Sequence, residues 1–150
     1  MPSITLSHIG ICVSDLDRSL RFYTEGLGYE VAQGFDVGDA FAPTLEVQSG
    51  VMVRSQMIVK DASTIELLGW SSPTAHGKPS QTRNQLGMTH LSFVVTDLSA
   101  VEAKLVELGG NVIESTRTLI PMGDSMLKLL FLADPDGTRV ELMETTNHAS

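Results

Sequence analysis

The sequence predicts an α+β fold made of two tandem βαβββ modules, and two observations carry that prediction. The first is an internal repeat. LSHIGICVSDL (residues 6–16) aligns without a gap with MTHLSFVVTDL (residues 88–98), at an offset of 90 − 8 = 82. The second is a matching pair of ends. KDASTIELLG (residues 60–69) lines up with PDGTRVELME (residues 135–144), at an offset of 141 − 66 = 75. The second module is therefore the shorter one, and the difference falls in the middle of the module.

Each repeat opens with a strand, in which Ile9, Ile11 and Val13, or Leu91, Phe93 and Val95, alternate with other residues. A helix follows each. Leu16, Leu20, Tyr23 and Leu27 fall at helical spacing in the first copy, as do Leu98, Val101, Leu105 and Leu108 in the second. Ser14 or Asp15, and Thr96 or Asp97, can cap these helices, and Gly28 and Gly109-Gly110 can end them. Phe22 and Tyr23 are expected to pack the first helix onto a sheet. Between helix and final strand each half has room for two more strands. Residues 45–59 supply one pair, turning at Ser49-Gly50, and residues 112–116 and 126–132 the other; residues 34–43 read as a loop. The expected modules are residues 4–70 and 88–146. Residues 71–87, polar and punctuated by Pro and Gly, join them as a linker. Neither module could bury both faces of its sheet alone. The two are expected to form one structural unit, within a chain or by exchange between subunits.

The 150 residues suffice for one such domain. A net charge of −8 and the lack of any basic run exclude nucleic acid and acidic membrane surfaces as partners. No stretch approaches the roughly 18 apolar residues of a membrane span, and the N-terminus does not read as a signal peptide. The single cysteine, Cys12, forms no internal disulfide and reads as a small buried filler; a reducing, cytoplasmic setting fits.

Residues two apart in a strand share a face. His8, Gly10 and Cys12 therefore oppose Ile9, Ile11 and Val13, and His90 opposes Leu91 and Phe93. Glu66 opposes Ile65 and Leu67, and Glu141 opposes Val140 and Leu142. If helices cover the apolar faces, His8, Glu66, His90 and Glu141 all project from the uncovered ones. A carboxylate in an apolar strand calls for a cationic partner. Glu66 alone could pair with Arg54 or Lys128, and a lone His8 reads as a hydrogen-bonded structural residue. The recurrence of His and Glu at matching positions favours a His₂Glu₂ site for a divalent metal. A mixed N/O donor set suits Ni, Co, Zn, Mn or Fe. His76 and His148 fall in the linker and the tail and read as incidental. Trp70 either walls a pocket or caps the core.

HIGICVSDLDRSLRFYTEGLGYEV, IELL, THLSFVVTDL and FLADPDGTRVELME resemble the vicinal oxygen chelate superfamily. That superfamily includes glyoxalase I, methylmalonyl-CoA epimerase, extradiol dioxygenases, and fosfomycin and bleomycin resistance proteins. The resemblance covers nearly the whole chain. It implies curved mixed sheets forming a metal-containing cleft, helices on the outer faces, and a homodimer. His8, Glu66, His90 and Glu141 stand where a glyoxalase I-like protein has its four ligands. Extradiol dioxygenases and fosfomycin-resistance enzymes use two His and one Glu, and bleomycin-binding members hold no metal. The epimerase resembles IELLGWSSP but has Gln where Glu66 stands. TRNQLGMTH contains Arg83 and Asn84 without the Asn/Gly-rich stretch by which glyoxalase I helps to hold glutathione.

The implied activity is that of a metal-dependent lyase, isomerase or epimerase, transferring a proton beside a carbonyl of a small oxygenated substrate. Glu141 or Glu66, or both, would be the base. Arg54, Arg83, Arg117 and Lys128 are candidates to hold an anionic substrate group. Two alternatives share the fold: a metal-binding or ligand-sequestering resistance protein, and a small iron-dependent extradiol dioxygenase.

Overall fold

A computed structural model of the chain describes residues 1–147. The chain divides into two compact units, one spanning Met1–Gly77 and the other beginning at Lys78. The first contains β1 (Ile9–Val13), α1 (Leu16–Arg21), β2 (Glu30–Val37), β3 (Met52–Lys60) and β4 (Ser63–Ser72). The second contains β5 (Leu91–Val94), α2 (Leu98–Glu107), β6 (Asn111–Met122), β7 (Ser125–Ala133) and β8 (Arg139–Asn147). Each is a βαβββ module with the same topology. The sheet orders are β1-β4-β3-β2 and β5-β8-β7-β6, with the first pair parallel and the rest antiparallel.

Both helices begin where the Asp residues allow. Asp15 and Asp97, in extended conformation, accept from the backbone N–H of Arg18 and Ala100, satisfying a donor that the first helical turn leaves open. The α1 helix passes into a π-helical turn over Phe22–Gly26. That turn carries Phe22 and Tyr23, both fully buried and packed edge to face. In the second unit Leu98 and Leu105 give α2 its buried stripe, which the C-cap residue Leu108 continues. The sheet faces obey strand alternation. Val13, Ile58, Ile65 and Leu67 are buried in the first unit, and Leu130, Leu132, Val140 and Leu142 in the second. Gly69 lets α1 lie close on β4, since a Cβ there would stand 3.0 Å from Leu16 Cβ.

Three expectations are corrected. The second strand is Glu30–Val37, not residues 45–47, so Gly34–Val37 is strand rather than loop. This edge strand is exposed along almost its whole length, and its alternation of Val31, Phe35 and Val37 is interrupted by Gln33 and by a bulge. Residues 38–50 form a compact turn instead. Asp39 Oδ1 accepts from the backbone N–H of both Gly50 and Val51 (2.6 Å each), closing the turn across its base. Inside it, Leu45 and Val47 pack with Ala42, Val51, Val53, Leu68 and Trp70, so the indole caps this small cluster. Third, Cys12 is exposed rather than buried, because it lies on the face opposite α1.

Both second strands carry a bulge, between Val31 and Gly34 in β2 and between Ile113 and Thr118 in β6. Each needs a polar patch for its unpaired backbone. In the first unit Gln56 Nε2 donates to the carbonyls of Ala32, Gln33 and Met57. In the second, Thr116 Oγ1 donates to the Ile113 carbonyl and accepts from the Phe131 N–H.

The β6 bulge also directs Arg117 to Glu114 and, bidentately, to Glu102 on α2. The hydrogen bond from Arg117 holds the Glu114 carboxyl below the usual glutamate range, and these carboxylates raise Arg117 in turn. A depressed carboxylate contributes stability above its unfolded pKa and loses it as pH falls through the folded one. The thermal-midpoint difference between wild type and Glu114→Gln should therefore be present at neutral pH and vanish on acidification below the usual glutamate range. A difference that grows on acidification would contradict the tie. Among the described residues, no helix is long and apolar enough to cross a membrane.

Candidate metal centre

The strand register explains how each His meets its Glu. Gly10 of β1 lies beside Glu66 of β4, and Ser92 of β5 lies beside Glu141 of β8. His8 and His90 precede these partners by two residues and so share their face. His8 Nε2 lies 3.1 Å from Glu66 Oε2, and His90 Nε2 lies 3.4 Å from Glu141 Oε2. The carboxylates are shielded, with 19% and 16% of the side chain exposed, while the imidazoles are open at 35% and 30%.

The expected alternative partners of Glu66 are engaged elsewhere. Arg54 pairs with Asp36 and Lys128 with Glu144. Glu66 meets His8. Each pair brings two donors together, and among the described residues no group of three or more His, Cys, Asp or Glu side chains forms. His148 lies outside the described residues.

The donor chemistry fits a divalent ion. In each imidazole Nδ1 is occupied by the hydroxyl of the preceding residue: Ser7 Oγ at 3.0 Å from His8, and Thr89 Oγ1 at 2.8 Å from His90. With Nδ1 engaged by a hydroxyl, Nε2 is the nitrogen turned toward the carboxylate, and in the tautomer protonated at Nδ1 its lone pair is the one offered to an ion. His90 is further held edge-on against Phe131, at 5.0 Å between ring centroids.

Sequence reading missed four hydroxyls, one for each candidate ligand. Ser7 and Thr89 were discoverable, since S-H and T-H recur at the repeat offset. The carboxylates take theirs differently. Ser55 Oγ of β3 donates to Glu66 Oε1 (2.5 Å), whereas Ser92 Oγ of β5 donates to Glu141 Oε2 (2.7 Å). Glu66 thus has both oxygens engaged, by Ser55 and by His8. Glu141 uses Oε2 for both contacts, and among the described residues its Oε1 accepts no hydrogen bond.

Of the four candidate cations for an anionic group, Arg54, Arg117 and Lys128 are met by carboxylates. Arg83 is not. Its guanidinium donates to the carbonyls of Thr89 and Ser80 and lies over the Phe131 ring, 5.7 Å from the centroid. Burial, then the nearby Arg139 charge, lowers its pKa. Arg83 therefore lies beside His90, through Thr89 and Phe131.

Residues 5–142 match the family model described as Glyoxalase/Bleomycin resistance protein/Dioxygenase superfamily. A lactoylglutathione lyase of Pseudomonas aeruginosa is 27% identical over 150 residues, covering 93% of this chain and 82% of that protein. A 2-epi-5-epi-valiolone epimerase of Actinomyces sp is 24% identical over 146 residues, covering 94% and 79%. Among solved structures, a glyoxalase-family protein from Bacillus cereus has the same fold, with a TM-score of 0.80 at 20% identity over 98% of this chain and 97% of its own. The repeat, the topology and the family match agree: the chain belongs to the Glyoxalase/Bleomycin resistance protein/Dioxygenase superfamily.

Proposed function

We propose that this protein is a metal-dependent isomerase, epimerase or lyase that transfers a proton on the carbon beside a carbonyl of a small oxygenated substrate. The observation that carries this reading is the duplicated His–Glu pair, one in each module, with Nδ1 of each His satisfied so that Nε2 is presented to the carboxylate. Members of the superfamily typically bind a metal ion. His8, Glu66, His90 and Glu141 would hold one divalent ion, the two pairs coming from one chain or from the two chains of a homodimer. The relatives named as a lyase and an epimerase support the reaction class. The lone cysteine suits a cytoplasmic protein.

The bound ion would supply a Lewis acid for the substrate's carbonyl oxygen. The proton is handled by the protein. Glu141 is the base in this reading, because its Oε1 is uncommitted while both oxygens of Glu66 are engaged. Glu141 Oε1 takes the α-proton, the electron pair of the C–H bond moves into the carbonyl, and an enolate or enediolate results. Returning the proton to the neighbouring carbon isomerises the substrate; returning it to the opposite face epimerises it. Ser92 Oγ donates to Oε2, so the carboxylate turns about that oxygen. Of the four candidate cations, Arg83 is the one that no carboxylate meets among the described residues, and it would face an anionic substrate group.

The test is solvent exchange. Protein incubated in D₂O with a panel of α-hydroxy-carbonyl and α-keto compounds should place deuterium at the α-carbon when loaded with Co²⁺ or Ni²⁺, and not after chelation. No exchange with any compound by the metal-loaded protein would remove the main support for the reading.

A further inference from the structure

The two modules match strand for strand, yet the hydroxyl that serves each carboxylate comes from a different strand. Ser92 corresponds to Gly10, at the offset 92 − 10 = 82. Met57 lies beside Glu66 and Phe131 beside Glu141, so the counterpart of Ser55 is Leu129, two residues before Phe131. Thus the first unit has Gly on the near strand and Ser on the far one, while the second has Ser on the near strand and Leu on the far one. The surroundings differ as well. Ser55 is 1% exposed, whereas Ser92 is exposed. Water can replace the Ser92 hydroxyl; it cannot reach the place of the Ser55 hydroxyl.

We propose that Ser55 is the positioning residue of the site, clamping Glu66 as the fixed metal ligand and leaving Glu141 as the carboxylate free to move. The inference rests on the proposed metal-dependent function. Ser55 Oγ on Oε1, with Oε2 turned to His8, holds the Glu66 carboxylate in one orientation, because rotating it would break a part-buried hydrogen bond whose donor is itself buried. Glu141 has no such restraint on Oε1. The asymmetry between two otherwise repeated half-sites therefore assigns the two carboxylates different tasks.

The experiment titrates Co²⁺ alone into full-length protein by calorimetry, comparing wild type, Ser55→Ala, Ser92→Ala, Glu66→Ala and the Ser55→Ala/Glu66→Ala double variant. Loss of an orienting hydrogen bond to a ligand costs about 10–100-fold in metal affinity. Ser55→Ala should show that loss and a changed Co²⁺ visible absorption spectrum, and Ser92→Ala less than about threefold, as water substitutes. In the Glu66→Ala background, where no side-chain oxygen remains for Ser55 to hold, Ser55→Ala should have no further effect. Wild-type affinity in Ser55→Ala overturns the proposal, and so does an equal loss in both backgrounds, which marks a merely structural serine. If Ser55→Ala does not fold, Ser55→Cys keeps a side chain of similar shape with a weaker donor and should show an intermediate affinity; wild-type affinity there overturns the clamp. Absence of Co²⁺ binding by the wild type is a different failure, that of the metal reading itself.

Discussion

Replacing Glu141 by Gln should slow α-carbon proton exchange by about 10²–10⁴-fold, the range a positioned general base contributes. Gln preserves the length and shape of the side chain. Its carbonyl oxygen can still accept from Ser92 Oγ, which now contacts Oε2 at 2.7 Å. What it loses is an oxygen able to take a proton. The effect should therefore fall on turnover at saturating metal. Glu66→Gln should instead weaken metal binding first, because Glu66 has both oxygens committed to holding contacts. The measurement is the deuterium exchange rate in Co²⁺-loaded protein of each variant. A Glu141→Gln protein that exchanges at the wild-type rate with metal bound would exclude its role as base.

Leu67→Ala and Leu142→Ala should each destabilise the unit that contains them by about 2–5 kcal/mol, measured by urea denaturation. Both side chains are fully buried, each immediately following a candidate ligand. The reason lies in strand alternation: the residue that anchors β4 or β8 in its core is the next-door neighbour of the one presented on the opposite face. Truncating the anchor leaves a cavity and loosens the strand that carries the carboxylate. Leu68→Ala, on the half-buried face, should cost less than Leu67→Ala. Equal costs for the two would contradict the division into a packed face and a presenting face.

The features most legible in sequence were those repeated. His8 with His90 and Glu66 with Glu141 could be paired by offset alone, and period-two alternation gave their faces without knowledge of the sheet order. Asp15 and Asp97 were readable as caps for the same reason. The edge strand β2 was not. In EVAQGFDV Gln33 interrupts the alternation of Val31, Phe35 and Val37, and the bulge between Val31 and Gly34 breaks the period. Leu45 to Val47 looked like a strand because it is apolar at alternate positions. It turns because Glu46 takes a positive φ of 57° and Asp39 ties the base of the turn. Cys12 was misread because small apolar residues are usually buried, whereas here the strand face decides. Ser55 left no trace in the repeat, since its counterpart is Leu129; only the register of β3 against β4 reveals it.

Metal content tests the central claim most directly. Purified chain saturated with Co²⁺ or Ni²⁺ and freed of excess should retain one ion per chain by elemental analysis. His8→Ala and His90→Ala should each reduce affinity by more than the roughly 10–100-fold that a change behind the ligands costs, because each removes a donor from a different module. Undiminished binding after either substitution, or two independent ions per chain, would contradict a single site built from both His–Glu pairs.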